Sequence, residues 1–331
     1  MKKILILILS LLSVEGYAQS NYIEYHKKAR FIDSLIIDSC YKEAILSYNK
    51  LFSNYDFIFA EDCFRAIQTA TYIKDTINAF QFLDKGIKQG ITMQRILKDS
   101  VLIDLKKYHK SWSNFEKKYC NLRETYLASI NSELRLNINK LYNLDQKYRD
   151  KHELHPWNFL WRPLIWNKWK KITKSIVENE LIPLIEQYGF PGEKLIGLDE
   201  ASFHNKQKND AINSYYAFII LIHYYSIPRP SSLNSILLRE IKKGNISPKQ
   251  YASIIDFQAQ WGKKKYYKGL HYNEWHKSKN IKDLPKINAN RIAIGLESLD
   301  EKKRKFERAL KACDERKKGN YKIIRFWVFC G

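Results

Sequence analysis

The residues able to do chemistry fall into two groups. The first joins Asp145, Gln146 and Arg149 from one amphipathic stretch to His223 from a strongly apolar one and Asp256 from a third. An imidazole such as that of His223 could serve as a general base. Plainer accounts exist for each member. Asp145 and Arg149 are four apart on one helix, which suits an ion pair. His223, between Ile222 and Tyr224, suits a hydrogen-bonded core histidine, and Glu200 and His204 could pair as Asp145 and Arg149 do. The second group is His271, Glu274 and His276. Imidazole and carboxylate are usual zinc ligands, so zinc is the metal such a trio would take. Helix positions five apart lie about 140° from each other, so the two histidines would converge only in a loop. Gly269, Tyr272, Asn273 and Trp275 around them indicate one. The alternative is surface or core histidines. No glycine-rich phosphate loop, G-x-S-x-G elbow, Cys–His nucleophile pair or dinucleotide fingerprint occurs, and nothing else calls for a cofactor.

These residues must be positioned mostly by helices. With 12 Gly and 8 Pro in 331 residues, the expected fold is mainly α, closed by a short C-terminal strand over Tyr321 to Cys330. A long amphipathic helix is expected over about 121–149, with Leu122, Tyr126, Ile130, Leu134, Ile138, Leu141 and Tyr148 as its apolar stripe. A tryptophan-rich loop should follow, holding Trp157, Trp161, Trp166 and Trp169 with Pro156 and Pro163. A helix over about 168–188 should stop at Gly189, two residues before Pro191. Further helices are read at about 205–226, 231–243, 248–260 and 299–317. Ser247-Pro248 and Ser298 with Glu301 supply start signals for the last two.

Upstream, the segment Tyr41 to Phe52 aligns with Thr76 to Ile87 at an offset of 35, matching Ala44 to Ala79, Tyr48 to Leu83, Lys50 to Lys85 and Phe52 to Ile87. A small residue followed by apolar ones at helical spacing lets paired helices approach closely. With helices at 23–38 and 59–73 before each copy, the pattern resembles degenerate tetratricopeptide repeats over about 23–90. A third hairpin is expected at about 94–120. The resulting division is a signal peptide over 1–18, tetratricopeptide-like repeats over 19–120 and a mostly helical domain over 121–331.

The stretch Leu141 to Arg149 is similar to the L-x3-DQ-x2-R entry motif of an uncharacterised bacterial domain family. Tyr188-Gly189-Phe190-Pro191-Gly192 with Ile196-Gly197 resembles that family's YGWPG-x-VG segment, and Ile222-His223 its apolar helix ending in a QH or IH pair. Tyr251-Ala252 with Asp256 resembles its next helix. The likeness spans about 130–260 and implies an architecture, often preceded by repeats and a signal peptide; it implies no activity. The chain departs from it at Asp256-Phe257, where the family has DR, in the region of its closing Q-x-YGTQ, and in an insertion over about 150–168.

Lys2 and Lys3, the apolar run Ile4 to Leu12, and Gly16-Tyr17-Ala18 occur in the order of a cleavable secretory signal, with cleavage expected after Ala18. The mature chain is thus expected in the periplasm or outside the cell, with no membrane span. A net charge of +22 would suggest nucleic acid in a cytoplasmic protein; after export an anionic envelope surface takes its place. The plainer account is lysine spread over solvated faces. Five cysteines leave at least one thiol unpaired; Cys40 and Cys63 could pair, whereas Cys313 and Cys330 are poorly placed to do so. The leading functional expectation is an exported protein that binds a protein or peptide partner through its repeats. One alternative is an envelope hydrolase, with or without a metal, using His223, Asp256 and His271–His276. Another is an electrostatic binder of anionic envelope polymer.

Overall fold

The computed structural model describes residues 21–153, 162–198, 214–227, 233–260, 268–272, 280–320 and 324. The signal segment, Pro156, Trp157, Trp161, Glu200, His204, Glu274, His276 and nearly all of the expected C-terminal strand lie outside them. The described fold is mainly helical. The helices are α1 Tyr22–Ile37, α2 Tyr41–Ser53, α3 Ala60–Tyr72, α4 Thr76–Lys88, α5 Met93–Lys98, α6 His109–Ser129, α7 Ser132–Glu153 and α8 Arg162–Ile176. They continue with α9 Ile182–Tyr188, α10 Glu193–Ile196, α11 Tyr216–Tyr224, α12 Asn234–Lys243, α13 Pro248–Ile255, α14 Phe257–Gln260, α15 Leu284–Ala293 and α16 Leu299–Lys317.

The first four helices form two antiparallel hairpins that turn the same way. Ser39 (φ 63°) and Lys74 (φ 62°) stand 35 positions apart, at the left-handed position of each turn. The next residue closes the turn in both cases: Cys40 N donates to Leu35 O and Asp75 N to Ala70 O, at 2.8 and 2.9 Å. The expected third hairpin is replaced by the short α5, a 3-10 turn over Leu102–Lys107 and the long α6. Asp99 sets this break: its Oδ1 takes the N–H groups of Val101 and Leu102, and its Oδ2 accepts from Gln68 Nε2 at 2.8 Å.

The long helix expected over 121–149 is two helices. Ile130 is extended, and the Asn131 side chain caps α7 by accepting from Leu134 N at 2.9 Å. Asn131 N itself donates to Leu195 O at 2.8 Å, so tertiary contact fixes the break. Trp166 and Trp169 lie within α8 and not in a loop. Pro163, at the second position of that helix, is where a missing N–H costs nothing. A π-turn over Val177–Leu181 separates α8 from α9. Pro183 explains it, since proline has no N–H to continue the regular ladder. The stretch 248–260 is likewise divided, at Asp256. Helix α16 has its expected bounds, with Glu301 N donating to Ser298 Oγ at 3.2 Å, and the Ser247/Gln250 capping box starts α13. Cys40, Cys63 and Cys120 are free thiols, so the possible Cys40–Cys63 pair is not made, and Cys313 is disulfide-bonded.

Two apolar cores result. One lies among α1 to α6 and takes Ala309 from α16; the other lies among α7 to α13 and takes Ile23 from α1. Helix α3 is buried along most of its length, including Asp62, Arg65 and Gln68. Helix α16 lies against α1. Its Lys305 places Nζ 3.2 Å from Asp33, Glu301 accepts from Ser34 Oγ at 2.6 Å, and Arg304 reaches Asp38 at 2.7 Å. Burial alone would raise the pKa of Asp33, but Arg65, Lys305 and Arg30 around it hold the carboxyl well below the usual range.

The loop after α9 is a clasp. Gly189 (φ 95°) has no room for a side chain: a Cβ would come within 2.8 Å of Glu240 Oε2. Glu240 is fully buried on α12 and accepts from Phe190 N at 2.9 Å and Asn245 Nδ2 at 2.7 Å. Gly192 and Gly197 are equally crowded, by the Asn245 carbonyl and the Tyr126 hydroxyl. The glycines of this segment are therefore required by packing.

Candidate functional site

Helix α7 packs its Leu134, Ile138 and Leu141 into the second core, and Asp145 continues the same stripe at full burial. Helix α8 presents Trp169, Thr173 and Ile176 at the same helical spacing. Helix α11 is buried at Ile220, Leu221, His223 and Tyr224. The rings of Tyr142 and Tyr216 stack at 3.7 Å with an interplanar angle of 2°, which fixes α7 against α11. One turn further along, polar side chains take over from apolar ones at positions that would otherwise be core.

There Asp145 collects three donors. Thr173 Oγ1 donates to Oδ1 at 2.9 Å, Gln146 Nε2 to Oδ2 at 2.9 Å, and His223 Nδ1 to Oδ2 at 2.5 Å. A buried carboxylate with this many bonds has its charge compensated locally. On the other side of the ring, Arg149 Nη1 stands 2.8 Å from His223 Nε2. Arginine can only donate, so this contact is a hydrogen bond when Nε2 carries the lone pair and Nδ1 the proton. The Asp145 carboxylate selects that same tautomer. Trp169 meets the imidazole edge-on at 5.6 Å between centroids and packs on Trp166 at 4.7 Å. Lys170 Nζ lies 5.3 Å over the Trp166 ring. Trp169 is 3% exposed, and its Nε1 has no hydrogen-bond partner among the described residues. The His223 side chain keeps 10% of its surface.

Four of the residues singled out from sequence, Asp145, Gln146, Arg149 and His223, thus form one bonded cluster across α7 and α11. Arg149 contacts the histidine, and His223 stands between it and Asp145. Thr173 and Trp169 belong to the same cluster and escaped the sequence reading. The available signal was the spacing of Trp169, Thr173 and Ile176 on one face of the helix expected over about 168–188.

Asp256 and His271 form a second cluster. Asp256 caps the end of α13, and its two oxygens accept from Leu270 N at 2.9 Å and His271 N at 2.6 Å. Its main work is to hold a loop. His271 is buried, its Nδ1 lies 3.5 Å from Asp256 Oδ1 without a hydrogen bond, and its carbonyl accepts from Arg291 Nη1 at 2.8 Å. Tyr272, next in the chain, is held at φ 47°. Among the described residues no group of three His, Cys, Asp or Glu is arranged to hold a metal, and Glu274 and His276 lie outside them. Nor, among those residues, is any helix long and apolar enough to cross a membrane.

No protein-family model, curated protein or solved structure matches the chain.

Proposed function

We propose that the mature chain is an exported envelope hydrolase whose proton-transfer centre is the Asp145–His223 pair. The observation that carries this reading is the convergence, 78 positions apart, of a buried carboxylate and an imidazole joined Nδ1 to Oδ2 at 2.5 Å. That arrangement leaves the Nε2 lone pair as the basic atom. In the proposed reaction His223 Nε2 takes a proton from water, and the resulting hydroxide oxygen attacks an acyl or phosphoryl centre. The same proton then passes to the leaving oxygen. Asp145 stabilises the imidazolium in between and keeps the ring in its tautomer. The resemblance to the DQ-x2-R family belongs to this reading, because Asp145, Gln146, Arg149 and His223 are the positions that meet. The signal-like N-terminus and the disulfide at Cys313 suit an oxidising compartment.

The repeat-type reading of the first four helices has less support as the seat of function. Polar α3 side chains that an open array would offer a peptide are already engaged, Gln68 by Asp99 and Arg65 by Asp33, and the Ala60 N–H at the start of α3 is taken by Glu193. A partner would have to meet the outer faces, where Leu46 and Ile77 are 68% and 72% exposed.

The test is turnover by the mature protein on a panel of chromogenic carboxylic esters, phosphomonoesters and phosphodiesters. Asp145→Asn and His223→Ala, with unchanged circular dichroism, should each lower kcat by roughly 10³–10⁴. Wild-type turnover in both variants, or none by the wild type on any class, would overturn the assignment.

A further inference from the structure

The wall beside His223 is basic and aromatic. Helix α8, with sequence RPLIWNKWKKITKSI, carries Arg162, Lys168, Lys170, Lys171 and Lys174 and no acidic residue. Lys170 Nζ rests over Trp166, whose ring packs on the Trp169 that edges His223. Arg149 Nη1 meets the imidazole at Nε2. The carboxylate of the cluster, Asp145, is committed to Thr173, Gln146 and His223. Among the described residues the buried Trp169 Nε1 finds no acceptor. A buried N–H without an acceptor is uncommon enough to need a reason.

From these observations we infer that the site seats an oxyanion, a phosphate or carboxylate group of the substrate, bound by Arg149 with Trp169 and Lys170, and that this anion uncovers the base. The inference deepens the hydrolase reading and rests on it for the word substrate. The physical argument is a competition for one guanidinium. In the free protein Arg149 donates to a neutral imidazole nitrogen and so occupies the lone pair that would take the proton. An oxyanion offers charge-assisted, two-pronged bonding in the geometry a guanidinium fits best, which is much the stronger of the two interactions. As Arg149 turns to the anion, Nε2 is released toward the adjoining water, and Asp145 holds the ring in place. The ammonium of Lys170, resting on an aromatic face, gives up only a weak contact to join it. Substrates without the anion would leave the base covered.

The experiment is a titration of the full mature chain, labelled with ¹⁵N-histidine, with inorganic phosphate and separately with acetate, against chloride at equal ionic strength. The His223 Nε2 resonance should shift saturably with one of the two anions and not with chloride, and the tighter anion names the class. Arg149→Gln should abolish the response. Trp169→Phe, which keeps the ring and loses the N–H, should weaken the anion roughly tenfold, as for one lost hydrogen bond. No response of His223 to either anion, or an equal response in Arg149→Gln, would overturn the seat. A saturable response without turnover on the ester panel would sustain the seat and sink the hydrolase reading. Turnover of neutral esters with a silent His223 titration would do the reverse.

Discussion

Asp145 occupies a position in the α7 stripe that the pattern of Leu134, Ile138 and Leu141 reserves for an apolar side chain. A carboxylate there is tolerable only while its lone pairs are filled, since an unsatisfied buried polar group forfeits its hydration without replacement. Thr173 fills Oδ1. Thr173→Val keeps the shape and removes the donor, and should destabilise the protein by about 1–3 kcal/mol in urea unfolding. If the midpoint did not move, Thr173 would not be holding the carboxylate. The same change should lower turnover less than Asp145→Asn, because the Nδ1 bond that sets the imidazole tautomer survives it. Asp256 marks the contrast at this scale. Sequence pairs it with His223 as a candidate, yet its two oxygens are spent on the N–H groups of Leu270 and His271, so its chemistry is that of a loop anchor.

At the level of elements, the clasp after α9 separates two reasons for a glycine. Gly189 and Gly319 both have positive φ, at 95° and 90°. A Cβ on Gly319 would meet nothing within 4 Å, whereas one on Gly189 would run into Asn245 and Glu240. Alanine at 319 should therefore cost only the backbone penalty of about 1–2 kcal/mol. Alanine at 189 should cost about 2–4 kcal/mol, because overpacking against a buried hydrogen-bonded carboxylate is added. Equal melting temperatures for the two variants would mean that the clasp yields. Glycine-stopped and serine-capped ends such as those of α9, α13 and α16 were legible in sequence because a helix end is set by one or two local residues. The break at Ile130–Asn131 was not, since the apolar stripe continues across it and the Asn131 cap works together with a tertiary bond from Asn131 N to Leu195 O. The same limit hid Trp169 and Thr173. The dense tryptophans and two prolines read as loop up to Trp169, and Thr173, within the helix expected over about 168–188, gives no local sign that it meets a carboxylate on another helix. For the site itself, motif spacing brought forward Asp145, Arg149 and His223, but which of them touch depends on how α7 and α11 pack. That is not a local property.

Across the whole molecule the two cores are tied together by charged groups, and these give stability a pH dependence whose sign follows from one residue of the clasp. Glu193 Oε1 accepts from Ala60 N, at the start of α3, at 2.6 Å. Burial raises its pKa from 4.5 to about 8; the Ala60 N–H opposes the rise, and Glu61 and Asp62 reinforce it. Above pH 4.5 the unfolded chain has lost this proton while the folded chain keeps it up to about 8. The folded state therefore binds the extra proton, and stability falls as pH rises through that window. His26, whose pKa burial depresses, contributes the opposite slope, but that contribution is complete above its ordinary value of 6.5. Asp62, raised to about 6 chiefly by burial, has also finished titrating near there. Between pH 6.5 and 8 the decline should belong largely to Glu193. Glu193→Gln keeps an oxygen for Ala60 N–H and removes the charge. It should leave the melting temperature at pH 5 nearly unchanged, raise it at pH 8, and flatten the slope between 6.5 and 8. Parallel pH profiles for the variant and the wild type would mean that this carboxyl carries no such proton and that the link between the cores is an ordinary charged cap.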